Sequence, residues 1–132
     1  MMTVTFFDRQ VEGNPINGSK FDTSESLIET LQNLQYREPF FCELVGAVSK
    51  LLLGLGSQHS CVQYGALNGD PPYLMAMGAN RNDEEGELSF LIGDTATPVP
   101  SRYALSSPEL WTAIESFMKT ETVSPRLDWE EI

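Results

Sequence analysis

Apolar and polar positions divide the chain into an alternating opening segment, a helix with one apolar face, a central run of short apolar segments, and a second helix followed by a tail. Met2 to Phe7 alternates weakly and is rich in β-branched and aromatic residues, which predicts a strand; VEGNPINGSK after it supplies turn chemistry. Leu27, Ile28, Leu31 and Leu34 recur at helical spacing, which predicts a helix opening at Asp22 or Thr23. Glu25 is placed to complete a capping box from Asp22. Arg37, Glu38 and Pro39 end that helix, because the residue before a proline is disfavoured in the helical region.

From Phe40 to Ile92 the pattern changes to five short apolar segments, FFCELVG, KLLLGLG, CVQYGAL, PYLMAMG and ELSFLI. The connections AVS, SQHS, NGDPP and ANRNDEEG are short enough for hairpins, so the stretch reads as an antiparallel meander. The first two segments could instead form one helix. Gly46, Gly54 and Gly56 favour strands, since each costs a helix about 1 kcal/mol relative to alanine. DTATPVPSRYAL then reads as a crossing segment stiffened by Pro98 and Pro100.

The second helix has clear start signals. Ser106 and Glu109 form a capping box, and Pro108 sits in the first turn, where its missing N–H does no harm. Leu110, Ala113, Ile114, Phe117 and Met118 make the apolar face, with Trp111 at its edge, and Lys119 closes the helix near the negative end of its dipole. The expected fold is a single α+β domain over residues 1–132, a mostly antiparallel meander sheet of about six strands with two helices packed on one face.

Charge narrows the function. The chain has 19 acids against 8 bases, a formal net charge of -11, which repels nucleic-acid phosphates and anionic lipid surfaces and leaves a basic protein as the natural partner. The longest apolar run, LLLGLG, is far below the ~20 residues of a membrane helix. No basic segment followed by an apolar stretch opens the chain, and Cys42 and Cys61 fit buried thiols in a reducing compartment, so a cytoplasmic location is expected.

Catalytic chemistry has few candidates. His59 and Cys61 could point the same way at i and i+2 as a nucleophile pair, but a lone histidine in a polar turn is usually exposed and cysteine is usually a small core residue. One histidine and two separated cysteines cannot close a four-ligand zinc site without distant carboxylates, so no metal or other cofactor is expected. GLG at Gly54–Gly56 lacks the third glycine and the helix of a dinucleotide fingerprint. Asp83, Glu84, Glu85 and Glu87 lack the alternating spacing of a calcium loop and read as a solvated hairpin tip open to a partner.

The last third, TPVPSRYALSSPELWTAIESFMKTETVSPRLDWEEI, resembles the closing segment of the bacterial immunity-protein family called Imm, family one, which accompanies deaminase toxins of polymorphic and contact-dependent systems. The residues that carry the likeness are Pro100, Ser106, Ala113, Phe117, Thr120, Pro125, Leu127, Trp129 and Glu130. KLLLGLGSQHSCVQYGALNGDPPYLMAMG is similar to that family's two-hairpin region in pattern rather than in residues. The resemblance implies a small cytoplasmic α+β protein, not an enzyme, that binds one cognate toxin, often a nucleobase deaminase, and blocks its site. The chain lacks the H-x-E and P-C-x-x-C signatures of zinc deaminases, so it would be the inhibitor and not the toxin.

The tail SPRLDWEEI fits a structural role. Leu127 and Trp129 fall on one side of an extended segment, so both are expected to cover one end of the core while Glu130 and Glu131 face solvent; Phe117 and Pro125 are the other structural positions, and Trp129 as an interface anchor is the alternative. Toxin contact is expected from exposed polar loops carrying Asp83, Glu84, Glu85 and Glu87, with Asp70 and Tyr73 from the NGDPPY turn. An acidic adaptor or nucleic-acid mimic, and a small enzyme using His59 and Cys61, are the alternatives.

Overall fold

In the computed structural model, which describes residues 3–79 and 86–132, the elements run β1 (Val4–Asp8), β2 (Lys20–Phe21), α1 (Ser24–Leu34), β3 (Phe40–Val45), β4 (Ser49–Leu55), β5 (Cys61–Ala66), β6 (Leu74–Met77), β7 (Glu87–Ile92), β8 (Thr95–Pro100), a 3-10 turn (Ser101–Tyr103), α2 (Ser107–Thr120) and β9 (Asp128–Glu131). Strands pair antiparallel in the order β2-β1-β3-β4-β5-β6-β9. β7 meets β3 through one parallel pair, Phe40 with Leu91, and forms an antiparallel hairpin with β8. The α+β class stands, with nine strands among the described residues rather than about six.

The three additional strands come from segments not expected to be strands, the first loop, the crossing segment and the docking tail. Lys20 and Phe21 return from the first turn to pair with Thr5 and Val4. The segment expected to cross the sheet is β8 instead, an edge strand, where the missing N–H groups of Pro98 and Pro100 leave no interior ladder broken. Its two-residue turn is Gly93–Asp94, both at positive φ (53° and 66°), as a hairpin turn with the twist of its strands requires. The tail becomes β9, paired with β6 from Leu74–Glu131 to Met77–Asp128.

The helix starts differ from expectation in one place. Thr23 caps α1, its hydroxyl accepting from the Ser26 amide at 3.2 Å. Asp22 does not form the expected box with Glu25, because its carboxylate accepts from the Thr3 hydroxyl at 2.9 Å. The box at α2 forms as its sequence implies, with the Ser106 amide donating to Glu109 Oε1 at 2.9 Å. Glu109 Oε2 also accepts from the Ala79 amide at 2.7 Å, tying the chain beyond β6 to the helix start. Burial works to raise the Glu109 pKa, and the hydrogen bonds from Ser106 and Ala79 outweigh it and lower it.

Alternation then sorts the strand residues onto two faces. Phe6, Leu44, Leu53 and Val62 point to one face, where Leu27 and Leu31 of α1 and Leu110, Ile114 and Phe117 of α2 cover them. Each such fully buried side chain contributes about 1.5–3 kcal/mol of burial free energy. Phe117 meets Tyr64 edge-on at 6.3 Å. Trp129 packs half-buried against the same core and donates Nε1–H to the Ser124 carbonyl at 2.9 Å; Pro125 is exposed in the turn before it. Glu131 is exposed, but Glu130 departs from expectation: it is half-buried and accepts from Arg102 Nε at 3.3 Å.

The β7–β8 hairpin covers only part of the opposite face. Phe90 lies against Phe41, ring centroids 5.4 Å apart, and joins Cys61, Met75, Val99 and Tyr103 in a second, smaller cluster. Gly54 makes this approach possible, since a Cβ there would lie 2.6 Å from Cys61 Sγ and 2.9 Å from the Phe90 ring. Beyond the hairpin, no described element covers the second face.

Candidate functional site

The uncovered half of the second face is built by strand register. Glu43 faces Leu52, Leu52 faces Gln63 and Gln63 faces Met75, a row across four strands; Val45, Lys50 and Gly65 form the next row. Residues opposite one another in antiparallel strands share a face, so these side chains converge although they are distant in sequence. They enclose a concavity of about 210 Å³ with Leu52, Leu67 and Tyr73 among its apolar walls and Glu43, Lys50 and Gln63 as its polar groups. Gly65 adds no side chain to it.

Glu43 organises the charge there. Its Oε2 accepts from Arg9 Nη2 at 2.8 Å, and its Oε1 lies 3.7 Å from Lys50 Nζ. The hydrogen bond to Glu43 raises the Arg9 pKa against the opposing effect of burial. An apolar wall with a carboxylate, an ammonium and an amide converging on it suits capture of one side chain of a partner.

Of the residues expected to contact a partner, Tyr73 lines this concavity, and Asp70 is exposed in the turn next to Gly69, which also lines it. The Asp70 amide donates to Asn68 Oδ1 at 3.0 Å, while its carboxylate accepts from Asn68 Nδ2 at 3.0 Å, which shapes the turn. The Tyr73 hydroxyl donates to the Gly69 carbonyl, and its ring forms one wall. Glu87 is exposed, but it opens β7 opposite Pro100 on the separate hairpin and is not part of the concavity. Asp83, Glu84 and Glu85 lie outside the described residues.

His59 and Cys61 are separated by burial. Cys61 lies inside the smaller cluster, and burial pushes its thiol up to about 12, against a backbone hydrogen bond involving Gly54 that acts to lower it. His59 is exposed in the β4–β5 turn and lines a cleft of about 220 Å³ with Pro39, Leu88 and Phe90. Among the described residues no hydrogen bond joins the two, so this geometry gives a nucleophile pair no support. Cys42 faces the helices instead, and both thiols are free. Among the described residues, no helix is long and apolar enough to cross a membrane.

No protein-family model matches the chain, and no curated protein matches it. Sequence reasoning missed Glu43, Lys50, Gln63 and Leu67. Their signal was the alternation within each strand, which assigns a side chain to a face only once the neighbouring strands and their register are known.

Proposed function

We propose that this chain is a cytoplasmic immunity protein that binds one cognate bacterial toxin domain, a basic nucleic-acid deaminase, and blocks its active or substrate-binding surface. The observation that carries the reading is how the charge is distributed. Arg9, Arg37, Lys50 and Arg102 are each held by an acid of the same chain, through Glu43, Asp8, Glu43 and Glu130. Among the described residues, Glu12, Glu25, Glu29 and Glu38 are exposed and lack such partners. Four of the eight bases are thus neutralised by acids of the same chain, and with 19 acids in all the field around the surface is that of an anion.

An enzyme that modifies nucleic acid needs a positive surface for its phosphates, and an acidic inhibitor is attracted to the same surface. Steering of this kind raises association rates toward ~10⁸ M⁻¹s⁻¹ at low salt, useful to a protein that must intercept a toxin before it acts. The resemblance of the final third to the immunity family supports the same reading.

Co-expression with the toxin domain encoded beside its gene tests the proposal. A stoichiometric complex that survives moderate salt, with the toxin's activity abolished, is the expected result. Absence of both complex and protection would sink it, and weak salt-sensitive binding to many basic proteins would point to an acidic adaptor instead.

A further inference from the structure

Four large apolar side chains lie on the part of the second face that no described element covers, in two pairs, Val48 with Leu67 and Tyr73 with Ile132, which are 70%, 42%, 37% and 55% exposed. A backbone hydrogen bond holds each pair, the Leu67 amide donating to the Val48 carbonyl at 3.0 Å and the Ile132 amide to the Tyr73 carbonyl at 2.9 Å. Continuing the registers Ser49–Ala66 and Leu74–Glu131 by one residue sets Val48 opposite Leu67 and Tyr73 opposite Ile132. All four therefore lie on the same face as Lys50, Gly65 and Met75, and Leu67 and Tyr73 open onto the concavity.

Contiguous exposed apolar surface with a polar border marks interaction sites, because leaving it in water is unfavourable. Asp70 is exposed on the turn before Tyr73, so an acid borders the patch, and on the same face Glu43 engages Arg9 and Lys50. A second copy of this chain, carrying the same charge of -11, would be repelled from such a surface, whereas a basic protein is attracted.

We propose that this patch is the seat of the toxin domain, with one aliphatic or aromatic anchor of the toxin entering between Leu67 and Tyr73 and a flanking Lys or Arg meeting Asp70. The placement rests on the immunity reading. It puts the energetic centre at the β3–β4 and β5–β6 turns and leaves the acids of the β6–β7 connection to steering.

Affinity for the isolated toxin domain, measured by calorimetry for the wild-type chain and for Val48→Ser/Leu67→Ser, tests the placement, with Tyr36→Ala as a control remote from the patch. Neutral serines leave the electrostatic attraction unchanged, and exposed positions leave the fold intact, which an unchanged Tm verifies. The expected result is a loss of about 30-fold or more for the double variant and none for the control. Wild-type binding with the double variant within about threefold would overturn the placement while the immunity reading stands. No wild-type binding would overturn both. A free protein that sediments as a dimer, dissociated by the double variant, would make the patch a self-interface and also overturn the placement.

Discussion

The Glu121 carboxylate, just past the end of α2, accepts hydrogen bonds from the backbone amides of Ala47 at 2.5 Å and Val48 at 3.2 Å in the β3–β4 turn. The residue is left-handed (φ 55°), and its own carbonyl accepts from the Tyr64 hydroxyl at 3.3 Å, so one residue ends a helix and ties it to a sheet turn. Glu121→Ala should cost about 1.5–3 kcal/mol through the lost charged hydrogen bonds. Glu121→Gly, which loses the same bonds but adopts the left-handed backbone freely, should be less damaging by about 1 kcal/mol. Urea unfolding of both variants checks the order, and equal losses would mean that the backbone conformation carries no cost.

A buried carboxylate makes the N-terminal end of the sheet sensitive to acid. Asp8 accepts from Arg37 Nη1 at 2.7 Å, from Asn14 Nδ2 at 3.0 Å and from the amides of Gln10 and Val11 at 2.8 Å each. Burial works to raise its pKa, but these donors prevail and lower it below 3.8. Its contribution is therefore present above 3.8 and is lost as pH falls from there through the lower folded value. Asp8→Asn should destabilise by about 1.5–3 kcal/mol at pH 7 and leave stability less dependent on pH in that acid window, as Tm against pH will record.

The covered half of the second face depends on one missing side chain. Gly54→Ala would press a methyl against Cys61 and Phe90, and overpacking of this kind costs about 1–3 kcal/mol. The expected signature is faster amide hydrogen exchange in β7 and β8 than in α2. Uniform acceleration would instead indicate that the hairpin and the helical layer open as one unit.

Thiol chemistry reports on the same packing. Cys42 and Cys61 are buried on opposite faces, and burial raises both thiols, that of Cys61 to about 12. At pH 8 both should resist alkylation in the native state and react once urea unfolds the chain. Rapid native labelling at Cys61 would show that the β7–β8 hairpin opens readily.

Salt dependence separates steering from anchoring. Replacing Asp83, Glu84, Glu85 and Glu87 with neutral residues should slow association with the toxin domain and flatten the dependence of that rate on ionic strength, with dissociation little changed. An unchanged association rate would exclude those acids from the encounter.

By itself the sequence determined the parts whose cause is local. The Ser106–Glu109 box and the apolar stripe from Leu110 to Met118 specify α2, and alternation with short turns specifies the central strands. Trp129 in an otherwise polar tail marked a segment that docks, because a solvated end offers nothing to offset the cost of ordering so large a ring. Segments whose structure depends on a distant partner could not be read in this way. Thr95–Pro100 is a strand only because β7 lies beside it, and Lys20–Phe21 only because β1 does. The grouping of Glu43, Lys50, Gln63, Leu67 and Tyr73 into one concavity was likewise decided by the tertiary structure. Strand register spans tens of residues, and a shift of one position would send every one of those side chains to the other face.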